Sequence, residues 1–274
     1  MTVLAKRPRP GRVLIVAGSD SGGGAGIQAD IKTVTVLGAY AATAITAITV
    51  QNTLGVSEVF PIPNVMVEAQ ARAVLSDIGA DAIKTGMLGD EASVKTVVRI
   101  VDSASSAAIV VDPVMVAKGG APLLDPDAVG AIRAELIPRA TLLTPNAPEA
   151  AVLTGLQVES LADLRRAGEA LLSMGARAVL MKGGHLPGPE VVDVLMTSEG
   201  ETRFQGARME TRHTHGTGCS LASACAAGIS QGMPLREAVS QAWRFVRGGI
   251  AHAPELGAGH GPIDHAWMLR SAPQ

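Results

Sequence analysis

Residues 12–38 read RVLIVAGSDSGGGAGIQADIKTVTVLG. The first seven form a short apolar run that closes on glycine, the pattern of a buried strand. From residue 25 to residue 38 the apolar positions recur at helical spacing and stop at Gly38. Between the two runs, residues 18–26 carry five glycines in nine positions. A strand that passes through a glycine-rich turn into a helix is the opening of a strand–helix–strand unit. Whether the rest of the chain repeats that unit decides the fold.

It does. AATAITAITVQN (41–52) is β-branched and predicts a strand. NVMVEAQARAVLSDIG (64–79) predicts a helix, DAIKTGM (81–87) a strand and DEASVKTVVRIVDSA (90–104) a helix. AAIVVDPVM (107–115) predicts a strand ending in Asp-Pro, and DPDAVGAIRAELI (125–137) a helix with proline near its start. The second half gives a strand at 141–146, helices at 147–155 and 161–175, and a strand at 178–184. A hairpin at 191–208 turns at SEGE, and two small-residue helices follow at about 217–231 and 235–252. Repeated alternation predicts an α/β fold with a mostly parallel sheet and helices on both faces. The expected organisation is a flexible leader over 1–10 and a single domain over 11–270. In such sheets a ligand sits beyond the carboxyl ends of the strands, so the residues just after each apolar run are the ones to read.

Composition narrows the function. Of 274 residues, 47% are hydrophobic, enough for a sizeable core, but aromatics are only 2%. That argues against stacking on single-stranded nucleic acid. A net charge of -2 offers no basic field for DNA or a membrane surface. Residues 33–57 carry no charge, yet their threonines, Gly38, Gln51 and Asn52 favour a helix end plus a buried strand over a membrane span. Cys219 and Cys225 fit neither a zinc motif nor a disulfide framework, and free thiols suit a reducing cytoplasm.

The strand ends are rich in chemistry. The loop SDSGGGAG lets backbone N–H groups approach a ligand closely; it is not a Walker loop, and its overlap with GxGxxG is loose. Asp30, one helical turn on, is placed to accept from a ligand hydroxyl; otherwise it is a solvated helix residue. Gln51 presents a donor and an acceptor in one plane, matching an aminopyrimidine or amide edge, or is simply a polar strand end. Asp112, at a strand end, suits Mg²⁺ or its water shell. Lys118 followed by Gly119 and Gly120 suggests a movable flap. Asn146 and Glu149 share one face of a helix start, as oxygen ligands or as a plain cap. Lys182 before Gly183 and Gly184 is placed to neutralise a phosphate.

Residues 214–220 read THGTGCS. Gly216 and Gly218 free the backbone of a turn that opens a helix, whose dipole favours an oxyanion. Cys219 at that mouth is expected to have a lowered pKa and to take a proton from a substrate hydroxyl. The other reading is a small thiol packed under the turn. His213 and His215 are left as outer residues of the turn.

Together these stretches carry a resemblance. AGSDSGGGAGIQADIKT (17–33), ITVQNT (48–53), KTGML (84–88), VVDPVMVAKGG (110–120), LLTPNAPEA (142–150), VLMKGGH (179–185) and THGTGCSLASA (214–224) resemble hydroxymethylpyrimidine/phosphomethylpyrimidine kinases of thiamine biosynthesis, in the ribokinase-like superfamily. The resemblance implies a ribokinase-like three-layer α/β/α sandwich, a cytoplasmic homodimer, and use of ATP and Mg²⁺. The implied reaction phosphorylates 4-amino-5-hydroxymethyl-2-methylpyrimidine, then its monophosphate to the diphosphate. Asp30 and Gln51 would meet the pyrimidine, with Gly18, Met87 and Val114 lining its pocket. Asn146 and Glu149 would organise Mg²⁺ through water, near Asp112. Lys182, Gly183, Thr214 and the turn Gly216-Thr217-Gly218 would hold the phosphates. Cys219 stands where sugar kinases carry an aspartate base. Gly22 and Gly119 replace serines that the family often has. The alternatives are a pyridoxine/pyridoxal kinase of the same superfamily and a non-catalytic pyrimidine-binding regulator. Gln51 favours the aminopyrimidine over pyridoxine.

Overall fold

The computed structural model describes residues 9–117 and 120–271. The leader expected over 1–10 lies outside the described residues except for Arg9 and Pro10, and Lys118 and Gly119 of the expected flap lie outside them too. In chain order the elements are β1 (Arg12–Asp20), α1 (Gly26–Val36), β2 (Tyr40–Asn52), β3 (Gly55–Pro61), α2 (Asn64–Asp77), β4 (Ala82–Thr85) and α3 (Glu91–Ser103). Then come β5 (Ala108–Val111), α4 (Pro126–Ala131), β6 (Leu142–Leu143), α5 (Ala147–Thr154), α6 (Leu161–Ser173), β7 (Ala178–Met181), β8 (Glu190–Thr197) and β9 (Gly200–Ala207). Helices α7 (Thr217–Ser230), α8 (Leu235–Ala251) and α9 (Trp267–Ser271) end the chain's described part.

All nine described strands form one sheet, in the order β3-β2-β1-β4-β5-β6-β7-β8-β9. The pairs from β2 through β7 are parallel, while β3, β8 and β9 add antiparallel edges. β1 explains why its sequence is apolar at every position rather than at alternate ones. Leu14 and Val16 join the cluster under α2 to α6, while Val13, Ile15 and Ala17 join the cluster under α1, α7 and α8. Each strand face is covered by helices, which is the three-layer arrangement the alternation predicts.

The α7 layer explains the small residues. Every side chain from Ser220 to Gly228 is buried, between the sheet and the helices α1 and α8. Only small residues allow that close approach: a Cβ on Gly228 would stand 2.9 Å from the Cβ of Ala238. Two expectations on elements change, and a third gains a strand. β5 ends at Val111 because Pro113 has no N–H to continue a ladder. The helix expected over 125–137 is α-helical only to Ala131, then widens through a π turn and tightens through a 3-10 turn to Arg139. The uncharged 33–57 stretch ends α1, forms β2 and enters β3, and no described helix is long and apolar enough to cross a membrane.

The chain reverses its direction of travel across the sheet at β1, which pairs with β2 on one side and β4 on the other. The crevice beyond the carboxyl ends at that switch is where open α/β sheets bind ligands.

Candidate active site

Beyond those strand ends lies a cavity of about 890 Å³. Gly18, Gln51, Met87, Asp112, Val114, Asn146, Glu149, Lys182, Thr214, Gly216, Thr217, Gly218 and Cys219 all line it. Residues separated by up to two hundred positions therefore face one space, each delivered by its own strand end or by the start of α7. The volume is at the upper end of what small-molecule sites use, room for a nucleotide and a second ligand.

One wall is apolar. The Met87 side chain lies against Gly18, where a Cβ would come 3.3 Å from the methionine Cε. The Thr46 hydroxyl donates to the Met87 carbonyl at 2.7 Å and pins it.

The facing wall is charged. Lys182 Nζ donates to Asp112 Oδ1 at 3.0 Å and stands 3.7 Å from Glu149 Oε2. Burial alone would pull the ammonium's pKa down, but Asp112 and Glu149 override it and push it up, so the lysine is charged. Glu149 is pushed up to about 7, first by burial and then by Asp112, against the pull of Lys182. Asn146 and Glu149 also form a reciprocal cap: Asn146 Oδ1 accepts from the Glu149 N–H, and Glu149 Oε2 accepts from the Asn146 N–H. The capping reading and the site reading hold together, because the cap sets both side chains at the cavity edge.

The α7 turn closes the pocket. Gly216 caps the helix at φ 80° and has no side chain to occupy the N–H groups of Gly218 and Cys219, while that of Thr217 donates to the Thr214 carbonyl. A Cβ on Gly218 would lie 3.3 Å from Lys182 Nζ and 3.8 Å from Asp112 Oδ2. Turn, ammonium and carboxylate therefore meet at one point, where the ammonium and the turn's N–H groups can balance an anion and the carboxylate can hold a cation.

Three site expectations need correction. Asp30 does not line the cavity; it is fully buried beneath it, accepting from Lys84 Nζ at 2.8 and 3.0 Å and from the Ser223 hydroxyl at 2.7 Å. It is closed in because α7 and β4 pack over that face of α1. Gly183 does not offer its N–H to a phosphate, since that group donates to Asp193 Oδ1 at 2.8 Å. The lowered pKa expected of Cys219 is also overturned. Burial pushes the thiol up to about 12, and the nearby Asp30 and Asp112 add to the rise, outweighing Lys84 and the Gly26 N–H. Loss of water is the largest cause, and a place at a helix start does not by itself lower a thiol that is shut away from solvent.

Four residues to which the sequence gives no site role, His215 among them as an outer residue of the turn, shape the site. Asp20 organises the glycine loop by accepting from the N–H groups of Gly22, Gly24 and Ala25. His215 reaches both Asp20 and Gln51. Lys84 lies under the cavity floor, and Asp193 reaches its edge. A lysine inside the otherwise apolar run DAIKTGM was the legible signal for a buried partner; the other three have no sequence signature of their own.

The match to known proteins is extensive. The family model described as phosphomethylpyrimidine kinase matches residues 20–264. A hydroxymethylpyrimidine/phosphomethylpyrimidine kinase of Streptomyces coelicolor is 47% identical, covering 98% of this chain and 99% of its own length. The thiamine biosynthesis bifunctional protein of Geobacter sulfurreducens is 49% identical over 93% of this chain, which spans 52% of that longer protein. Among solved structures, the pyridoxal kinase of Staphylococcus aureus in complex with AMP-PCP and pyridoxal superposes with a TM-score of 0.89, at 35% identity and 96% coverage of both chains.

Proposed function

The chain belongs to the phosphomethylpyrimidine kinase family, and from that premise we propose that it uses Mg-ATP to phosphorylate 4-amino-5-hydroxymethyl-2-methylpyrimidine, and then the monophosphate to the diphosphate, in thiamine biosynthesis. The observation that carries this reading is the convergence of the strand ends and the α7 turn on one cavity, with Gln51 and Met87 at one end and Lys182 at the other. Residues 11–270 act as one kinase unit in this reading.

Each group has a task that its surroundings support. Gln51 reads the aminopyrimidine edge while Gly18, Met87 and Val114 hold the ring flat. Lys182 and the open N–H groups of the α7 turn cradle the phosphates, with Thr214 and Thr217 beside them. Phosphoryl transfer has a loose transition state, so orientation and charge neutralisation dominate over nucleophile activation. A thiol with a pKa of about 12 is protonated at neutral pH. Cys219 therefore is not the base but holds the substrate hydroxyl in line, and the hydroxyl proton leaves late, passing to an oxygen of the transferring phosphoryl group as the O–P bond forms.

The residues fit Mg²⁺ of the outer-sphere kind. Asp112 Oδ2 is buried without a hydrogen-bond partner, and Glu149 and Asn146 line the same wall. No cluster of three or more His, Cys, Asp or Glu exists among the described residues to cage a metal. Mg²⁺ commonly keeps its waters and takes only one or two carboxylates plus substrate phosphates. Asp112 and Glu149 would hold it with Asn146; when bound, the ion neutralises charge on the nucleotide's phosphates.

The free thiols Cys219 and Cys225 and the use of ATP support a cytoplasmic setting. A homodimer belongs to the same reading. On the β2–β3 edge Ile48, Val50 and Phe60 are exposed by about half or more, an apolar stripe that a second copy would cover. Sedimentation velocity should give a dimer; a monomer at micromolar concentration removes that part.

The test of function is a panel of alcohols with Mg-ATP: the hydroxymethylpyrimidine, its monophosphate, pyridoxine and ribose. Both pyrimidines should lead, with pyridoxine a side substrate, in keeping with the shape shared with a pyridoxal kinase. Preference for pyridoxine over both would move the assignment to that kinase. Absence of turnover on every member, with pyrimidine still bound, would make the chain a regulator. Run on Cys219→Ser, the same panel should show kcat lower by about 10- to 100-fold with both KM values near wild type. Unchanged turnover would leave the thiol a packing group.

A further inference from the structure

The glycine loop and the α7 turn are tied by one polar chain that the phosphoryl-transfer account leaves unused. Asp20 is 2% exposed, and its Oδ2 lies 3.0 Å from His215 Nε2. Gln51 Nε2 lies 3.3 Å from the same His215 nitrogen, and Gln51 Oε1 lies 3.1 Å from Thr49 Oγ1. Thr49 Oγ1 in turn stands 2.9 Å from the Ser19 carbonyl. The histidine ring packs directly on the glycine loop: a Cβ on Gly24 would lie 2.4 Å from its Cδ2, and the residue's backbone N–H donates to the Gly261 carbonyl.

Counting protons along the chain fixes the amide of Gln51. Burial pushes Asp20 up, but His215 and the N–H groups of Ala25 and Gly22 hold its carboxyl below the usual range, so it is ionised and only accepts. His215 Nε2 must therefore carry its one proton, give it to Asp20 at the shorter contact, and have no lone pair left to accept from the Gln51 NH₂, so that only the amide oxygen can face it and share that proton. At the other end, the single proton of Thr49 goes to the Ser19 carbonyl, which is the shorter contact and has no proton of its own. Thr49 can then only accept from Gln51. Both ends make the same demand: the amide NH₂ faces Thr49 and the amide oxygen faces His215, a half-turn of the terminal torsion. In that state one N–H and one oxygen lone pair remain uncommitted, side by side.

The geometry points to His215, backed by Asp20 and countered by Thr49, as the positioning residue that fixes which way the Gln51 amide faces and so selects a heteroaromatic alcohol with adjacent donor and acceptor. This rests on the reading that Gln51 meets the substrate ring. An aminopyrimidine carries an amine next to a ring nitrogen and satisfies both uncommitted groups. A ring lacking that amine leaves this lone pair of the amide oxygen without a donor from the ligand, which is how hydrogen-bonding sites gain their discrimination.

The test compares two alcohols, 4-amino-5-hydroxymethyl-2-methylpyrimidine and the same ring with hydrogen in place of the amine. Wild type should prefer the amino compound in kcat/KM by about 100-fold. His215→Leu and Thr49→Val should each reduce that preference by about tenfold, through a higher KM for the amino compound with kcat nearly kept. His215→Gln and Thr49→Ser, which retain a donor and a hydroxyl, should restore most of it. Equal losses on both compounds, or a fall in kcat alone, would reduce His215 to a brace for the loop and overturn the inference. Should His215→Leu fail to fold, Thr49→Val decides from the opposite end of the chain. A wild type that ignores the amino compound but phosphorylates another alcohol would sink the kinase assignment and this inference with it. An active wild type whose preference survives the substitutions would sink this inference alone.

Discussion

Gly216→Ala is expected to lower kcat/KM by roughly a thousandfold, the scale of losing oxyanion donors. The residue holds φ at 80°, where a Cβ is strained, and that Cβ would stand 1.7 Å from the Gly24 carbonyl oxygen and 2.8 Å from its carbon. Neither atom belongs to a flexible side chain. The glycine loop and the α7 turn would have to part, carrying the open N–H groups of Gly218 and Cys219 away from Lys182. Gly232→Ala is the control for backbone strain alone. It has φ 81°, nothing lies within 4 Å of its added Cβ, and it stands at the far end of α7. That variant should lose about 1–2 kcal/mol of stability and keep its turnover. If Gly216→Ala instead retained activity within a few-fold of Gly232→Ala, the turn would not be the phosphate cradle.

Lys84→Met should cost the fold about 3–5 kcal/mol, the range for breaking a buried ion pair from one side. Lys84 and Asp30 both have side chains at 0% exposure. Burial opposes the ammonium, yet Asp30, Cys219 and Asp112 push its pKa up, so the charge is present in the folded state. Removing it strands the Asp30 carboxylate with only the Ser223 hydroxyl donating to it. Lys84→Met combined with Asp30→Leu removes both charges and should recover much of the loss, because paired buried charges add little over apolar packing. Urea unfolding of the two variants reads the difference directly. A single variant within 1 kcal/mol of wild type would mean that water reaches the pair.

The fold was open to sequence reading where burial leaves a pattern. β1, β4 and β7 sit between two helical layers, so their apolar runs stand out between glycine turns. β3 was missed because it covers nothing: its outer face is exposed, and no periodicity marks it. In the site, residues with chemistry at strand ends were found because the topology sends all of them to one side. Gln51, Asp112, Asn146 and Lys182 were legible for that reason. Asp30 misled because its position, one turn into α1, says nothing of the helix that later packs over it. The Cys219 pKa misled because a helix terminus is local, whereas the burial that raises the thiol, and the smaller push of Asp30 and Asp112, come from parts of the chain far away in sequence. His215 and Asp20 become functional only as a pair, 195 residues apart.

The fully buried α7 is made late. Every parallel strand has left the ribosome before residue 217 does, and β4 and β5 then present one face without the α7–α8 layer, while α1 alone covers that face of β1. A nascent chain at that stage holds a sheet that is sticky on one side and a phosphate site without its cradle. Catalytic competence thus arrives in a single step with the last quarter of the polypeptide, when one Ala- and Ser-rich segment both covers the exposed face and completes the pocket. Unfinished chains should hydrolyse no nucleotide, and their hazard to the cell is aggregation rather than stray chemistry.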